Sequence, residues 1–228
     1  MDLEHKLKIV LEKIEVAKKK SSFKQKVELI AATKTRDISQ IEKCYSLGVT
    51  SIGENRVQEA ENKFVDFQGF KTLKKRFIGH LQSNKINKCL DLFDTIDSVD
   101  TFKTANKINN ASQKRTQKTE CLIEVNTSGE LQKNGFSPTL SNELISCFSL
   151  QNLEIVGLMT IGPNTTDEKK IKNAFSALRD LKDKINQELG RNILKELSMG
   201  MTNDFELGVE EGSTMVRVGT GLFGSRDY

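Results

Sequence analysis

The chain has 228 residues, enough for one large domain or two small ones, with 35 Lys and Arg against 31 Asp and Glu. A net charge of +4, spread along the chain, suits solubility more than nucleic-acid binding, and no apolar run approaches the ~18 residues of a membrane span. Cys44, Cys89, Cys121 and Cys147 form no C-x-x-C pair, and His5 and His80 join no Cys/His/carboxylate cluster. Reduced thiols, no metal and a cytoplasmic address are therefore expected.

In the opening segment Leu3, Leu7, Val10, Leu11 and Ile14 recur at helical spacing, which predicts an amphipathic helix over 1–20 rather than a secretion signal. Short β-branched runs then alternate with helical patterns. VELIAAT at 27–33 precedes a helix capped by Asp37, with Ile38, Ile41 and Tyr45 on one face and Gly48 ending it. VTSIG at 49–53 precedes a helix carrying Val57, Ala60 and Phe64. A third run at 75–79 leads into SNKINKCL, and a fourth at 92–97 into a helix over 100–114. ECLIEV at 120–125 is followed by TLSNELISCFSL. LEIVGLM at 153–159 precedes the clearest helix, where Ile171, Ala174, Phe175, Leu178, Leu181 and Ile185 fall at steps of three and four. The run at 193–199 precedes a short helix opening at Thr202 or Asn203, and MVRVG at 215–219 closes the series.

Eight strands, the first seven each followed by a helical segment, imply a parallel sheet covered by helices. A closed (β/α)8 barrel of the α/β class fits this count near its lower size limit of roughly 200 residues, with an open doubly wound sheet as the alternative. Two prolines and no break in composition predict a single domain over 1–228, its barrel over 27–224.

In such a barrel, chemistry gathers at the C-terminal strand ends. Those ends offer Lys34, Asn55, His80, Asn126, Met159 with Thr160, Ser198 with Gly200, and Arg217 with Gly219 and Thr220. Gly219, Gly221 and Gly224 also fit G-x-G-x-x-G, but the helix, strand and acidic residue of a dinucleotide fold are not expected after them. Barrels frequently hold phosphate with the loops after strands seven and eight, here LSMGMTND and VRVGTG. Small residues let backbone N–H groups close on an anion, and Ser198 and Thr220 offer hydroxyl donors. One such loop alone reads as a turn; two at the expected places read as a phosphate cup.

Lys34 ends the most apolar early strand. Facing inward with Ala32 and Ile30, it would sit in an apolar mouth that favours the neutral amine a Schiff base requires; facing outward, it would reach solvent. Schiff-base lysine and phosphate cup together suggest a phosphorylated aldehyde, pyridoxal 5′-phosphate (PLP) foremost. Arg217 shares a strand face with Gly219 and in that reading reaches the ring nitrogen, opposing its protonation and weakening the ring as an electron sink. The alternative is a salt-bridged arginine of the barrel interior.

The segments AATKT, IGENRVQEA, RFIGHLQSNK, DSVD, EVNTSGELQKNGF, GLMTIGP, LSMGMTNDFELGVEEGST and VRVGTGLFGSRDY carry a specific resemblance from about residue 27 onward. In them the chain resembles the pyridoxal-phosphate homeostasis proteins, single-domain relatives of the barrel of alanine racemase and ornithine decarboxylase. The resemblance implies a (β/α)8 barrel with a leading helix and an internal aldimine on Lys34. It further implies Ser198, Gly219 and Thr220 on the phosphate, Arg217 at the pyridine nitrogen, and Asn55 beside the phenolic oxygen or the aldimine. Met199, Gly200 and Met201 line the pocket in this reading, with Asn126 and Met159 as weaker candidates to flank the ring. His80 is assigned to barrel packing or partner contacts, and Glu54 to a local pair with Arg56. Two departures stand out: Arg76 where an aromatic residue is usual, and Gly221 where a larger residue is often seen, a change expected to loosen the phosphate loop.

The implied function is reversible covalent holding of PLP, intracellular vitamin B6 homeostasis and delivery to apo PLP-dependent enzymes, by a monomer without catalytic turnover. A PLP-dependent racemase or decarboxylase is the alternative. Alanine-racemase-like enzymes add a β-domain whose tyrosine supplies the opposing acid/base, whereas the tyrosines here are Tyr45 and Tyr228. A Schiff-base aldolase acting on a sugar phosphate uses the same lysine and cup but predicts no bound chromophore.

Overall fold

The eight runs become eight parallel strands that follow one another in chain order around a closed barrel. They are β1 (Glu28–Ala32), β2 (Ser51–Glu54), β3 (Lys74–Phe77), β4 (Thr95–Val99), β5 (Thr119–Glu124), β6 (Leu153–Met159), β7 (Glu196–Met201) and β8 (Met215–Val218). The ring closes where Ile30 of β1 pairs with Arg217 of β8. This is a computed structural model, and it describes residues 2–64, 70 and 72–224. Met1 of the expected leading helix, and the last four residues of the C-terminal motif, lie outside them.

The helices are α1 (Leu3–Lys20), α2 (Ile38–Ser46), α3 (Val57–Phe64), α4 (Ile86–Leu92), α5 (Phe102–Ser112), α6 (Asn142–Ser146), α7 (Glu168–Glu188), α8 (Phe205–Glu210) and α9 (Thr220–Phe223). None is long and apolar enough to cross a membrane. The Asp2 side chain caps α1 by accepting from His5 N at 2.9 Å, and three lysines in its last turn complement the helix dipole. Its apolar stripe of Leu7, Val10, Ile14 and Ala17 is buried, and the helix packs on α8 and α9. Asp37 caps α2 as expected, accepting from Gln40 N at 3.0 Å.

Strand alternation divides the interior in two. Leu29, Ala31, Ile52, Ile123 and Val216 belong to a large outer core between barrel and helices, whereas Ile30, Leu122, Met159 and Met215 form a small inner one. Burying each such Ile or Leu contributes about 1.5–3 kcal/mol, so the outer layer dominates stability. All four cysteines are buried there.

Most boundaries shift by a residue or two, and four departures have a visible cause. The fourth strand starts at Thr95, because Leu92 still belongs to α4 and Phe93 N donates to Cys89 O to close that helix. The seventh starts at Glu196, because Ile193 N and Leu194 N are both taken by the Asn186 Oδ1 acceptor. The helix expected from Thr202 or Asn203 starts at Phe205, because Asp204 Oδ1 accepts from Met201 N and holds the preceding residues as a turn. One turn of helix, α9, follows the eighth strand in place of the expected loop.

The N-terminal end of the barrel is sealed by charge. Arg76, 1% exposed, donates to Ser51 Oγ (3.0 Å) and Glu28 (3.1 Å) and faces Asp97 at 3.3 Å. Lys74 pairs with Glu120 at 2.8 Å beside it, and a cavity of about 490 Å³ opens below them. Arg76 thus lies in the barrel floor, and carboxylates of three strands compensate it.

Candidate functional site

At the C-terminal end, the chain around Lys34 is clamped on both sides. Thr33 N donates to Gly53 O at 3.0 Å, and Thr33 Oγ1 to Glu54 Oε1 at 2.6 Å. The Lys63 ammonium of α3 donates to Thr33 O at 2.9 Å, to Glu54 Oε1 at 2.6 Å and to Glu59 at 3.3 Å. Glu59 in turn accepts from Thr35 N, and Thr35 adopts a left-handed φ of 62°. For a β-branched residue that conformation costs on the order of 1–3 kcal/mol, which these contacts hold in place. Lys34, between the two anchored threonines, is half-buried. Glu54 is fully buried and pairs with Lys63 rather than with Arg56, which is exposed; the local Glu54–Arg56 pair is replaced by one that spans β2 and α3. Burial pushes the Glu54 carboxyl up, against the opposing pull of Lys63 and Thr33.

Asn55, half-buried at the end of β2, lies so close to Gly79 that a Cβ there would come within 2.2 Å of Asn55 O. Only glycine permits that approach. Across the β1–β8 seam, Arg36 donates to Gly224 O at 3.0 Å and its guanidinium lies 5.5 Å from the Phe223 ring centroid.

The loops after β7 and β8 meet at one oxygen. Gly219 N and Gly221 N each donate to Thr202 Oγ1 at 3.3 Å, so two backbone amides converge where an anion would be received. A Cβ on Gly221 would stand 2.9 Å from Val218 and 3.2 Å from Thr202, so its glycine tightens the loop rather than loosening it. Gly200 has a φ of 99°, and a Cβ there would meet Phe205 Cα at 2.7 Å. Thr220 is exposed at the start of α9.

Arg217, 4% exposed, lies beneath these loops and donates to Ser198 O (2.8 Å), Ser198 Oγ (2.6 Å) and Thr160 O (2.7 Å). All three acceptors are uncharged. Burial pushes its pKa down, and Asp97, Asp204 and Glu124 only partly restore it. The salt-bridged alternative for Arg217 is therefore not what the fold builds. Ser198, fully buried, stands against the guanidinium. Met199 is a correction: alternation turns its side chain into the outer core, so only its backbone belongs to this loop. Met201, by contrast, is exposed at the end of β7.

The opposite wall is acidic. The alternation that places Leu122 in the inner core puts Glu124 on the same face, one layer nearer the mouth and 6% exposed. Burial raises its pKa to about 7, Asp100 adding to the effect and Arg217 and His80 opposing it. Asp100 accepts a contact from His80 Nδ1 at 3.0 Å, and the His80 side chain is 54% exposed rather than packed into the barrel. Asn126 spends its amide on its own loop, donating to Glu130 O (2.9 Å) and Lys133 O (3.2 Å), and Met159 lies in the inner core.

The barrel thus gathers Lys34, Arg217, Ser198, Gly200, Gly219 and Thr220 on three adjacent strand ends, with Asn55 on the next. Glu124, Thr202, Lys63 and Arg36 were missed in the sequence. Thr202 alone carried a signal, standing in a small-residue loop at a strand end. The residues fit a phosphorylated aldehyde: convergent amides, a buried guanidinium bonded among the described residues only to neutral groups, and a lysine on the neighbouring strand.

Comparison with known proteins agrees. The family model described as "Alanine racemase, N-terminal domain" matches residues 7–227. The "Pyridoxal phosphate homeostasis protein" of Haemophilus influenzae is 37% identical over 235 residues, spanning 100% of this chain and 98% of its own. Its namesake in Aquifex aeolicus is 37% identical over 226 residues, 98% of each chain. PipY of Synechococcus elongatus PCC7942, solved without PLP, superposes with a TM-score of 0.88 at 32% identity over 98% of this chain and 100% of its own. The same protein with PLP bound gives 0.83 at 30% identity, with the same coverage. Alanine racemase of Clostridium difficile 630 shares the fold alone, with a TM-score of 0.75 at 17% identity over 96% of this chain and 56% of its own. By sequence and by fold, the chain belongs to the pyridoxal phosphate homeostasis protein family.

Proposed function

We propose that the chain binds pyridoxal 5′-phosphate at the C-terminal mouth of the barrel, covalently and reversibly through Lys34 Nζ, and serves in intracellular homeostasis and delivery of this cofactor. The carrying observation is the buried Arg217 guanidinium, bonded only to Ser198 and Thr160, beneath two loops whose Gly219 and Gly221 amides converge. Bound there, the cofactor supplies an aldehyde carbon that combines reversibly with amines. Gly219, Gly221 and the Thr202 and Thr220 hydroxyls would receive the phosphate, while Ser198, expected there too, accepts from Arg217 and would hold it toward the pyridine nitrogen. Arg217 would hold a proton toward that atom and donate a hydrogen bond to it. Asn55 orients the ring edge from β2, and Gly200 lets the β7 loop approach. Thr33 and Thr35, anchored through Glu54, Lys63 and Glu59, fix where the Lys34 amine stands. Tyr45, the tyrosine among the described residues, pairs with Thr72 ahead of β3 and does not supply the opposing acid/base of racemase-like turnover, which favours holding and handing over the cofactor.

Borohydride reduction followed by peptide mass spectrometry tests the attachment. The adduct is expected on Lys34 and absent in Lys34→Ala; an adduct elsewhere, or none, overturns the reading. Delivery is tested by activation of an apoenzyme: transfer faster than free cofactor allows supports it, and steady amino-acid turnover by the pure chain rejects it.

A further inference from the structure

The mouth is electrically divided. β7, β8 and β1 contribute Arg217, Lys34 and paired backbone amides, whereas β4 and β5 end in Asp100 and Glu124. In the closed ring of eight, β5 is diametrically opposite β1, so Glu124 and Lys34 come from facing walls. Asp100 already engages His80 at 3.0 Å, but no hydrogen bond or ion pair among the described residues satisfies the Glu124 carboxyl, although it is only 6% exposed. Its oxygens are not sealed off, since Glu54 Oε2 is the one fully buried acceptor without a donor among the described residues. A donor or cation arriving from solvent can therefore meet them. Among the described residues no three His, Cys, Asp or Glu side chains are grouped to hold a metal.

We infer that Glu124 forms a subsite for a primary ammonium group, binding an incoming amine opposite Lys34 and taking its proton. This rests on the cofactor reading above and deepens it by naming what meets the site from solution. The step is a single proton transfer: one N–H bond of the ammonium breaks, an O–H bond forms on the Glu124 carboxylate, and a neutral amine with a free electron pair is left in the mouth. Glu124 suits this task, since burial and Asp100 raise its pKa to about 7 while Arg217 and His80 oppose them; Thr160, on the adjoining β6 end, is uncharged. An acceptor that titrates near the working pH both takes and returns a proton readily.

Release of bound cofactor from the loaded chain tests the inference, with ethylamine, cationic at neutral pH, set against methoxyamine, which is neutral. Glu124→Gln is expected to lower the ratio of the two rates at least about tenfold, and to remove an inflection near neutral pH from the ethylamine profile. An unchanged ratio overturns the subsite. So does exchange of an amino acid's α-proton that Glu124→Gln abolishes, since Glu124 would then serve carbon rather than nitrogen. A second arm needs no cofactor. Carboxyl-carbon NMR of the apo chain should show one glutamate titrating near neutral pH, absent in Glu124→Gln and moved to lower pH by ethylammonium; no such movement overturns the inference. Absence of the Lys34 adduct would instead defeat the cofactor reading, with the apo titration still deciding the subsite.

Discussion

Two arginines lie inside the same barrel, one at each end, and the fold treats them differently. Arg76 in the floor is 1% exposed and meets Asp97, Glu28 and, at 3.9 Å, Glu120. Burial opposes its charge, but the three carboxylates outweigh burial and hold its pKa above the ordinary value. Arg217 at the mouth is 4% exposed and bonds two carbonyls and a hydroxyl, and burial pushes its pKa down. A compensated buried charge is part of the scaffold. One bonded to neutral acceptors and countered only from a distance keeps its donors available to a lone pair brought to the mouth, the pyridine nitrogen in the function proposed above.

The largest expected effect comes from breaking the floor. Asp97→Ala leaves Arg76 without its fully buried partner and should cost about 3–5 kcal/mol in urea unfolding. Combining it with Arg76→Met removes both charges, and most of that loss should be recovered. If the double variant is as unstable as the single one, the floor pair is not what stabilises this end.

This contrast also explains what the sequence made legible. Lys34, Ser198, Gly219 and Arg217 stand at strand ends that regular β–α alternation locates, so counting units found one half of the mouth. Glu124 escaped because its signal is a missing partner, which only three-dimensional packing reveals. Glu54 was paired with its neighbour Arg56, whereas the partner it takes, Lys63, lies two helical turns into α3 on the face turned to the strand. The resemblance puts Met199 in the pocket with Gly200 and Met201; the alternation of side chains along β7 sends its side chain the other way and leaves its backbone to the loop.

The second effect separates the mouth's acid wall from the floor by pH. With its folded pKa raised from 4.5 to about 7, Glu124 holds its proton more tightly in the native state than in the unfolded chain. Its contribution to stability is therefore present below about pH 4.5 and is lost as pH rises toward 7, amounting to about 3 kcal/mol at most. Chemical unfolding of the apo chain at several pH values checks this. The stability of Glu124→Gln relative to the parent should rise between pH 5 and pH 8 and level off above; a flat difference would mean that the carboxyl titrates normally.

The smallest effect on stability should come from the mouth arginine, and that is where the comparison is sharpest. Arg217→Gln gives up hydrogen bonds to Ser198 and Thr160, each worth about 1.5–3 kcal/mol from a charged donor. It also relieves the burial of a cation whose countercharges, Asp97, Asp204 and Glu124, act only from a distance. The two terms oppose each other, and the net change in the apo chain should stay within about 1–2 kcal/mol, well below that of Asp97→Ala. In the proposed bound state no such cancellation is expected, because the ring nitrogen would lose its donor. Parallel unfolding of apo chains and equilibrium dialysis of loaded ones measure both sides. Arg217→Gln should leave the first nearly intact while cofactor retention falls at least about tenfold, the loss of roughly one charge-assisted hydrogen bond. An Arg217 variant that unfolds as readily as the floor variant would make both arginines scaffold, and the distinction between the two ends would disappear.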